Sequence, residues 1–525
     1  MPYATGASLN TQKLCLPGTR ETLLSEIMDW LNNVKGNQSR VIWLHGPAGA
    51  GKSAIAHTIA NHFNERRRLS SLFCFNWAER RHEKVITTIA WDLADGNPLL
   101  RELLAAKVPN LKALLNTPDI QRQWKELIMK PAKAMMGPMV IVIDALDESG
   151  NPSSRHDLLE ILAGRAPVND LESCITELPP DVRILLTSRR LTDIESAFRG
   201  VMHVESRSME DIASAKDDIR SYFVDQLKRV DLDGQKSAVI EALINQSSQI
   251  FEWARLASAY IKGDDNVGRG RRPLNRFEDI TTHHEAKEAP LLDTMYLLTL
   301  KDLFPAETQW ARKSDLTLFK SVMSIILGTM EPLSLATLES MTSHIADLKD
   351  VDIGEALSDI DSLLVGITDR FIPIQARHAS FREFLMDRER SKEFFVDMNP
   401  EVHSNVASAC LAVMKEKLQF NICNLPNFHL PNSKVPDLDE RVKKHILGEL
   451  AYACQYWTEH VRATSLTPTL ADKILEFLNH ERLLFWFEAL SLLRTMSTAS
   501  RSLSSLMNSV TVCHFKGFCK NYSDC

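Results

Sequence analysis

Apolar residues follow two rhythms along this chain. Short apolar-rich runs at Val41-Ile42-Trp43-Leu44, Leu72–Phe75, Met139-Val140-Ile141-Val142-Ile143, Val182–Leu186 and Val201–Glu205 predict strands. The run before Asp144 is apolar enough to be covered on both faces. Helical spacing links Leu23, Leu24, Ile27, Met28 and Leu31, then Ala54, Ile55, Thr58, Ile59, His62 and Phe63. Beyond residue 205 the helical rhythm dominates. It runs through Ile212, Ile219, Phe223 and Leu227, then Cys410, Leu411 and Met414. It returns at Leu447, Leu450, Cys454 and Trp457, and at Ile474, Phe477 and Leu478. The polar stretch Lys262–Arg276, with Gly263, Gly268 and Gly270, predicts a loop. Its arginines at 269, 271 and 272 admit a nucleic-acid patch as a rival reading, but few aromatics lie beside them.

Composition narrows the class. At roughly 100–200 residues per domain, 525 residues predict three or four domains. Hydrophobic residues at 44% and charged residues at 25% are ordinary for a soluble globular protein. With 20 Gly and 22 Pro, a collagen-like or long disordered chain is excluded. Lys plus Arg total 61 against 68 Asp plus Glu, a net charge of −7, so no global basic footprint exists and no nucleic-acid partner is expected. The nine cysteines are scattered and odd in number, which argues against a secreted disulfide framework. Met1 to Thr5 lack the charge and apolar core of a signal peptide, and no transmembrane run occurs. The expected compartment is the cytoplasm, with no membrane partner.

One segment carries specific chemistry. The first strand leads into Gly46-Pro47-Ala48-Gly49-Ala50-Gly51-Lys52-Ser53, followed by Ala54 and a helical rhythm. Strand, G-x-x-x-x-G-K-S and helix form a P-loop in its proper context. Glycines let backbone N–H groups wrap a polyphosphate, and the helix start favours the anion. Lys52 would reach the β- and γ-phosphates, and Ser53 would ligate Mg²⁺. Asp144 ends the Met139–Ile143 run and would hold Mg²⁺ through water, facing Ser53. Asp147 or Glu148 would polarise an attacking water; a solvated acidic loop is the alternative. Arg189, after the Val182–Leu186 strand, would sense the γ-phosphate, unless Arg189-Arg190 is an ordinary surface pair.

Together these residues resemble the NACHT family of STAND nucleotide-binding proteins, the NLR-like, nephrocystin-3-like group in its fungal version. Cys15-Leu16-Pro17-Gly18-Thr19-Arg20 is similar to the motif that packs over adenine and ribose in that family, implicating Thr19 and Arg20. Thr19 also reads as an N-cap, with Glu21 in the first turn. Asp144-Ala145-Leu146-Asp147-Glu148 resembles the family's second motif and Leu185-Leu186-Thr187-Ser188-Arg189 its sensor, with Arg190 where proline is common. Ile250-Phe251-Glu252-Trp253-Ala254 resembles a helical-domain motif in which Trp253 reads as a core anchor. Leu318, Val322, Ile325 and Ile326, Ser334 as an N-cap, a helix through Ile353, Leu357, Ile360 and Leu364, strands Val365–Ile367 and Ile372–Ile374, and His378-Ala379-Ser380-Phe381 resemble a winged helix. There the resemblance implies that His378 meets the β-phosphate of ADP; a structural histidine at a helix start is the alternative.

The resemblance implies an α/β P-loop NTPase fold, a parallel sheet ordered 5-1-4-3-2 with helices on both faces. Helical, winged-helix and C-terminal helical parts should follow. The expected boundaries are a leader 1–17, a nucleotide domain 18–205, a helical domain 206–300, a winged helix 301–395, a helical domain 396–490 and a tail 491–525. Cys513, His514, Cys519 and Cys525 in that tail match no zinc spacing. With so short a leader and no repeat of 20–50 residues, the chain resembles a switch core without input or output modules. The implied function is an ATP/ADP-dependent switch with Mg²⁺, GTP not being excluded, that self-associates or pairs with related STAND proteins. A truncated paralogue regulating full-length relatives and a turnover NTPase are the rivals.

Overall fold

The computed structural model describes residues 3–4, 6–32, 39–76, 81–106, 114–115, 117, 119–133, 139–165, 174–212, 214–263, 271–283, 290–304, 309–427, 429–479, 481–504 and 506. The chain divides into two compact units, the first reaching Met295 and the second beginning at Tyr296. Residues 264–270 of the glycine-rich stretch and Cys513, His514, Cys519 and Cys525 lie outside the described residues.

The first unit is built on five parallel strands: β1 (Val41–His45), β2 (Leu69–Cys74), β3 (Met139–Asp144), β4 (Val182–Ser188) and β5 (Val204–Ser208). Their order is β2-β3-β4-β1-β5, the expected 5-1-4-3-2 read from the other edge. Strands β1, β3 and β4 are buried at every position, which is why they read as apolar runs, broken in β4 only by the buried Arg183 before its polar end. Alternate residues point to opposite faces. Ile42, Leu44, Val140, Val142 and Leu185 pack with helices α1 (Glu21–Asn32) and α2 (Lys52–Glu65). Trp43, Ile141, Ile143, Ile184 and Leu186 pack on the other face with the helix Val85–Gly96 and its neighbours. Helices therefore cover both faces.

The segment read as a leader lies within this unit. Ala4 and Ala7 are buried in the core. Ala4 N–H donates to Thr88 Oγ1 at 3.0 Å, and Cys74 N–H donates to Ala7 O at 2.8 Å. Thr19 does not cap α1: its hydroxyl donates to Leu16 O at 2.7 Å, and Arg20, at φ +58°, precedes Glu21. The helical stretch after β5 follows as Ala215–Gln226, Lys236–Gln246 and Phe251–Lys262 in the same unit, with Trp253 buried as an anchor.

The second unit is largely helical. Helix Gln309–Gly328 is followed by Leu335–Thr342, capped by Ser334, whose hydroxyl accepts from Thr337 N–H. The next helix stops at Leu357 and tightens into a 3₁₀ turn at Ser358–Ile360, so Leu364 is not helical. It lies instead in β6 (Leu364–Val365), antiparallel to β7 (Gln375–Ala376). The pairing overlaps the predicted Val365–Ile367 only at Val365 and misses Ile372–Ile374, for two reasons. Gly366 turns at φ +85°, and Pro373, which has no N–H for a ladder, forms only an isolated bridge with Ser334. Helices Pro400–Lys417, Gly448–Arg462, Pro468–Leu478 and Arg482–Leu492 follow, packed around Trp457 and Trp486. Leu447, read as part of an apolar face, precedes its helix and is 51% exposed. No helix among the described residues is long and apolar enough to cross a membrane.

Candidate functional site

The P-loop leaves β1 at His45 and enters α2 at Lys52. Its glycines are needed for space and for backbone angle. A Cβ on Gly46 would stand 2.7 Å from Met209 Cβ, and one on Gly49 2.7 Å from Glu252 Cβ. Gly49 and Gly51 sit at φ +79° and +92°, where side chains are strained. Lys52 is buried, and its Nζ donates to Gly46 O at 2.9 Å and Pro47 O at 2.8 Å. Burial pulls the ammonium below its usual range, while the nearby Asp147 and Asp144 pull it back up. Ala50 N–H donates to Pro47 O at 3.4 Å across Ala48 and Gly49. Ser53 and Ala54 lie in the first turn of α2, where Ala54 O accepts from the Thr58 hydroxyl at 2.7 Å.

The acidic side comes from β3 and β4, neighbours in the sheet. Asp144 is 2% exposed and accepts from the Thr187 hydroxyl at 2.5 Å. The same oxygen of Thr187 accepts from Ala145 N–H at 3.0 Å, which supports Ala145 at φ +58°. The chain then turns through a short 3₁₀ helix, Leu146–Glu148. Asp147 accepts from Arg189 N–H at 2.9 Å and Arg189 Nε at 2.6 Å. The proposed water-activating residue and the proposed sensor are thus an ion pair. Arg155, buried, braces the turn by donating to Asp147 O and Gly150 O at 3.1 and 2.9 Å. Glu148 is half-buried beside it, and Arg190 pairs with Glu195 away from Asp147.

Asp144 also lies in a buried group with His57 and Cys74, whose ligand atoms fall within 4.8 Å of one another. Asn10 N–H donates to His57 Nδ1 at 3.2 Å, so the ring proton sits on Nε2, 3.4 Å from Cys74 Sγ. That tautomer turns an N–H, not a lone pair, toward Cys74, so Asp144 is the member suited to a metal.

On the loop's outer side, Arg20 donates from Nη2 to Ala50 O at 3.2 Å and stacks over Phe251 at 4.9 Å. It also faces Asp218, with Nη1 3.8 Å from the carboxylate. Arg20 is 3% exposed, and its Nε finds no hydrogen-bond acceptor among the described residues. In the second unit His378 caps the helix Ala379–Leu385, its Nδ1 accepting from Ser380 N–H at 3.2 Å.

The fold thus gathers Gly46 through Ser53, Asp144, Asp147, Glu148 and Arg189 around Lys52. It adds Thr187, Arg155, Asp218, Phe251 and Glu252, which sequence reading gave no part in the site. Thr187, Phe251 and Glu252 carried a signal, as members of motifs noted for other residues.

Comparison with known proteins is consistent with this geometry. Residues 18–189 match the family model described as Nephrocystin 3, N-terminal. The large subunit of replication factor C from Methanococcus vannielii is 22% identical over 196 residues, 36% of this chain. The chain spans 38% of the length of that curated relative. A solved STAND protein with a tetratricopeptide repeat sensor, from Pyrococcus horikoshii, aligns over 98% of this chain and 67% of its own at 13% identity, with a TM-score of 0.40. A DNA replication initiation factor aligns over 56% of this chain and 83% of its own at 16% identity, with a TM-score of 0.25. The glycine loop after β1 and the buried carboxylate ending β3 give the first unit a P-loop NTPase fold, and residues 18–189 within it are similar to the nephrocystin 3 N-terminal family.

Proposed function

We propose that the chain is a nucleotide-dependent switch that takes ATP or ADP with Mg²⁺ at the P-loop. One observation carries the reading. Glycines that exclude any Cβ stand next to a buried lysine whose nearest charges are Asp144, Asp147 and Arg189. That donor set fits a polyphosphate and a hard cation. The backbone from Gly46 to Ala54 would cradle the phosphates, with Lys52 on the β- and γ-groups. Ser53 and Asp144 would hold Mg²⁺, which supplies neutralising charge between phosphate oxygens. Thr19 and Arg20 would lie at the base and ribose, and the unsatisfied Arg20 Nε suits an acceptor there.

The Asp147–Arg189 pair favours a switch over a turnover enzyme. A carboxylate that accepts two hydrogen bonds from a guanidinium residue is a poor general base. A γ-phosphate would compete with Asp147 for Arg189, so that pair would register which nucleotide is present. Glu148 is the other candidate base. In the same reading His378 would answer to the ADP β-phosphate, and ATP would favour an open, self-associating form.

The test is direct. The purified protein is denatured, the released nucleotide is identified, and multi-turnover hydrolysis is measured. Stoichiometric ADP, with turnover well below about 1 s⁻¹, is expected. Faster turnover would favour an enzyme, and folded protein without nucleotide or affinity for it would favour an interaction module.

A further inference from the structure

Two P-loop carbonyls are held from outside the loop, and both holders depend on the helical segment that follows the sheet. Glu252 N–H, in the first turn of the helix Phe251–Lys262, donates to Gly49 O at 3.1 Å. Arg20 Nη2 donates to Ala50 O at 3.2 Å. Arg20 is itself held by Asp218 in the helix Ala215–Gln226. Asp218 Oδ1 accepts from Arg20 N–H at 3.1 Å, its carboxylate faces the guanidinium at 3.8 Å, and Ser214 Oγ donates to Oδ2 at 3.0 Å. Phe251 covers the guanidinium at 4.9 Å. Arg20 and Asp218 are both buried, at 3% and 6% exposure.

In a trans peptide the C=O of one residue and the N–H of the next point in opposite directions. Holding Gly49 O outward turns Ala50 N–H into the loop, where it reaches Pro47 O at 3.4 Å. Holding Ala50 O outward turns Gly51 N–H away from Arg20. N–H groups so oriented are the ones with which a glycine loop meets an anion. We infer that Asp218, acting through Arg20, is a positioning residue for phosphate: it orients the Ala50–Gly51 peptide before ligand arrives. This rests on the nucleotide reading of the P-loop and adds a specific device to it. A shift of the helical segment would withdraw Glu252 N–H and the Arg20 contact together, loosening the grip on phosphate without moving Lys52.

The experiment measures affinity for inorganic pyrophosphate, ADP and adenosine by calorimetry on nucleotide-stripped full-length protein. Variants are Arg20→Gln, Asp218→Asn, Asp218→Ala and the double variant Arg20→Gln/Asp218→Ala. Each arginine or aspartate variant should weaken pyrophosphate and ADP on the order of tenfold, Asp218→Asn less than Asp218→Ala, because the amide still accepts from Arg20 N–H. Adenosine should lose less than pyrophosphate, and any adenosine loss beyond twofold should be confined to the variants that change Arg20 itself, which lies at the base and ribose in the nucleotide reading. The double variant should be no worse than Arg20→Gln, since both act through one carbonyl. Hydrogen exchange over residues 49–52 should rise in the same variants, and urea midpoints confirm that each is folded. Unchanged pyrophosphate affinity in folded Asp218→Asn and Arg20→Gln, additive losses, or a loss confined to adenosine would overturn the inference. Wild-type protein that binds neither ADP nor pyrophosphate would instead remove the nucleotide reading itself.

Discussion

Asp144 ends β3 and Asp147 follows in the 3₁₀ turn, and the two are held by different atoms of β4 and its exit. Thr187 gives Asp144 one neutral hydrogen bond at 2.5 Å, whereas Arg189 gives Asp147 two at 2.9 and 2.6 Å. Asp144 is therefore left without a cationic partner in its hydrogen bond to Thr187 and is the carboxylate suited to a cation, while Asp147 is engaged by arginine. Asp144→Asn should cost on the order of tenfold in ATP affinity with Mg²⁺ present and little in chelator, read by calorimetry under both conditions. A second buried group sets a pH dependence. Met330 N–H donates to Tyr452 Oη at 2.9 Å, the Tyr452 hydroxyl donates to His460 Nε2 at 2.7 Å, and His460 Nδ1 donates to His403 Nδ1 at 3.0 Å. Burial, with His403 adding to it, pushes His460 down to about 3. Its ordinary value is about 6.5, so between these values the unfolded chain holds the extra proton. Stability is full above about pH 6.5 and should fall by up to about 1.4 kcal/mol per unit as pH drops below it. Urea midpoints at pH 7.5 and 5.5 check this, and His460→Gln should flatten the difference. At this scale the P-loop residues were legible because their spacing is local. Thr187 and Asp218 were not, because their partners lie 43 and 198 residues away.

Elements were legible wherever burial was complete. Strand β3 declares itself because both faces are covered and every position before Asp144 is apolar, and β4 does so through Ile184, Leu185 and Leu186 despite the buried Arg183. The segment before α1 gave no such signal: Tyr3, Ala4, Ala7, Leu9 and Cys15 pack at irregular spacing, with backbone hydrogen bonds between them and the core, so no hydrophobic period marks it. The β6–β7 hairpin was read one to three residues out of place, since its apolar residues extend past the point where Gly366 turns the chain. A Cβ at Gly366 would run into the Pro373 carbonyl, and its φ of +85° strains any side chain. Gly366→Ala should cost about 1–3 kcal/mol in urea unfolding, while Gly234→Ala, also at positive φ but with open space around it, should cost less.

For the whole molecule, switching requires a ligand with different affinities for two states; equal affinity shifts nothing. The Asp147–Arg189 pair supplies a place where ATP and ADP would differ, since only ATP brings a γ-phosphate to compete for arginine. Sedimentation with ATP and Mg²⁺ should therefore show self-association that ADP does not, and Arg189→Ala should erase the difference. Beneath that lies the claim that Gly46 to Ser53 bind nucleotide phosphate. Calorimetric titration of ADP into nucleotide-stripped protein, wild type beside Lys52→Ala, tests it most directly. One site per chain is predicted in the wild type, with affinity lost on the order of a hundredfold or more in Lys52→Ala, as expected when a buried cation is removed from an anion site. A folded wild type that binds no ADP, or an unchanged affinity in Lys52→Ala, would contradict it.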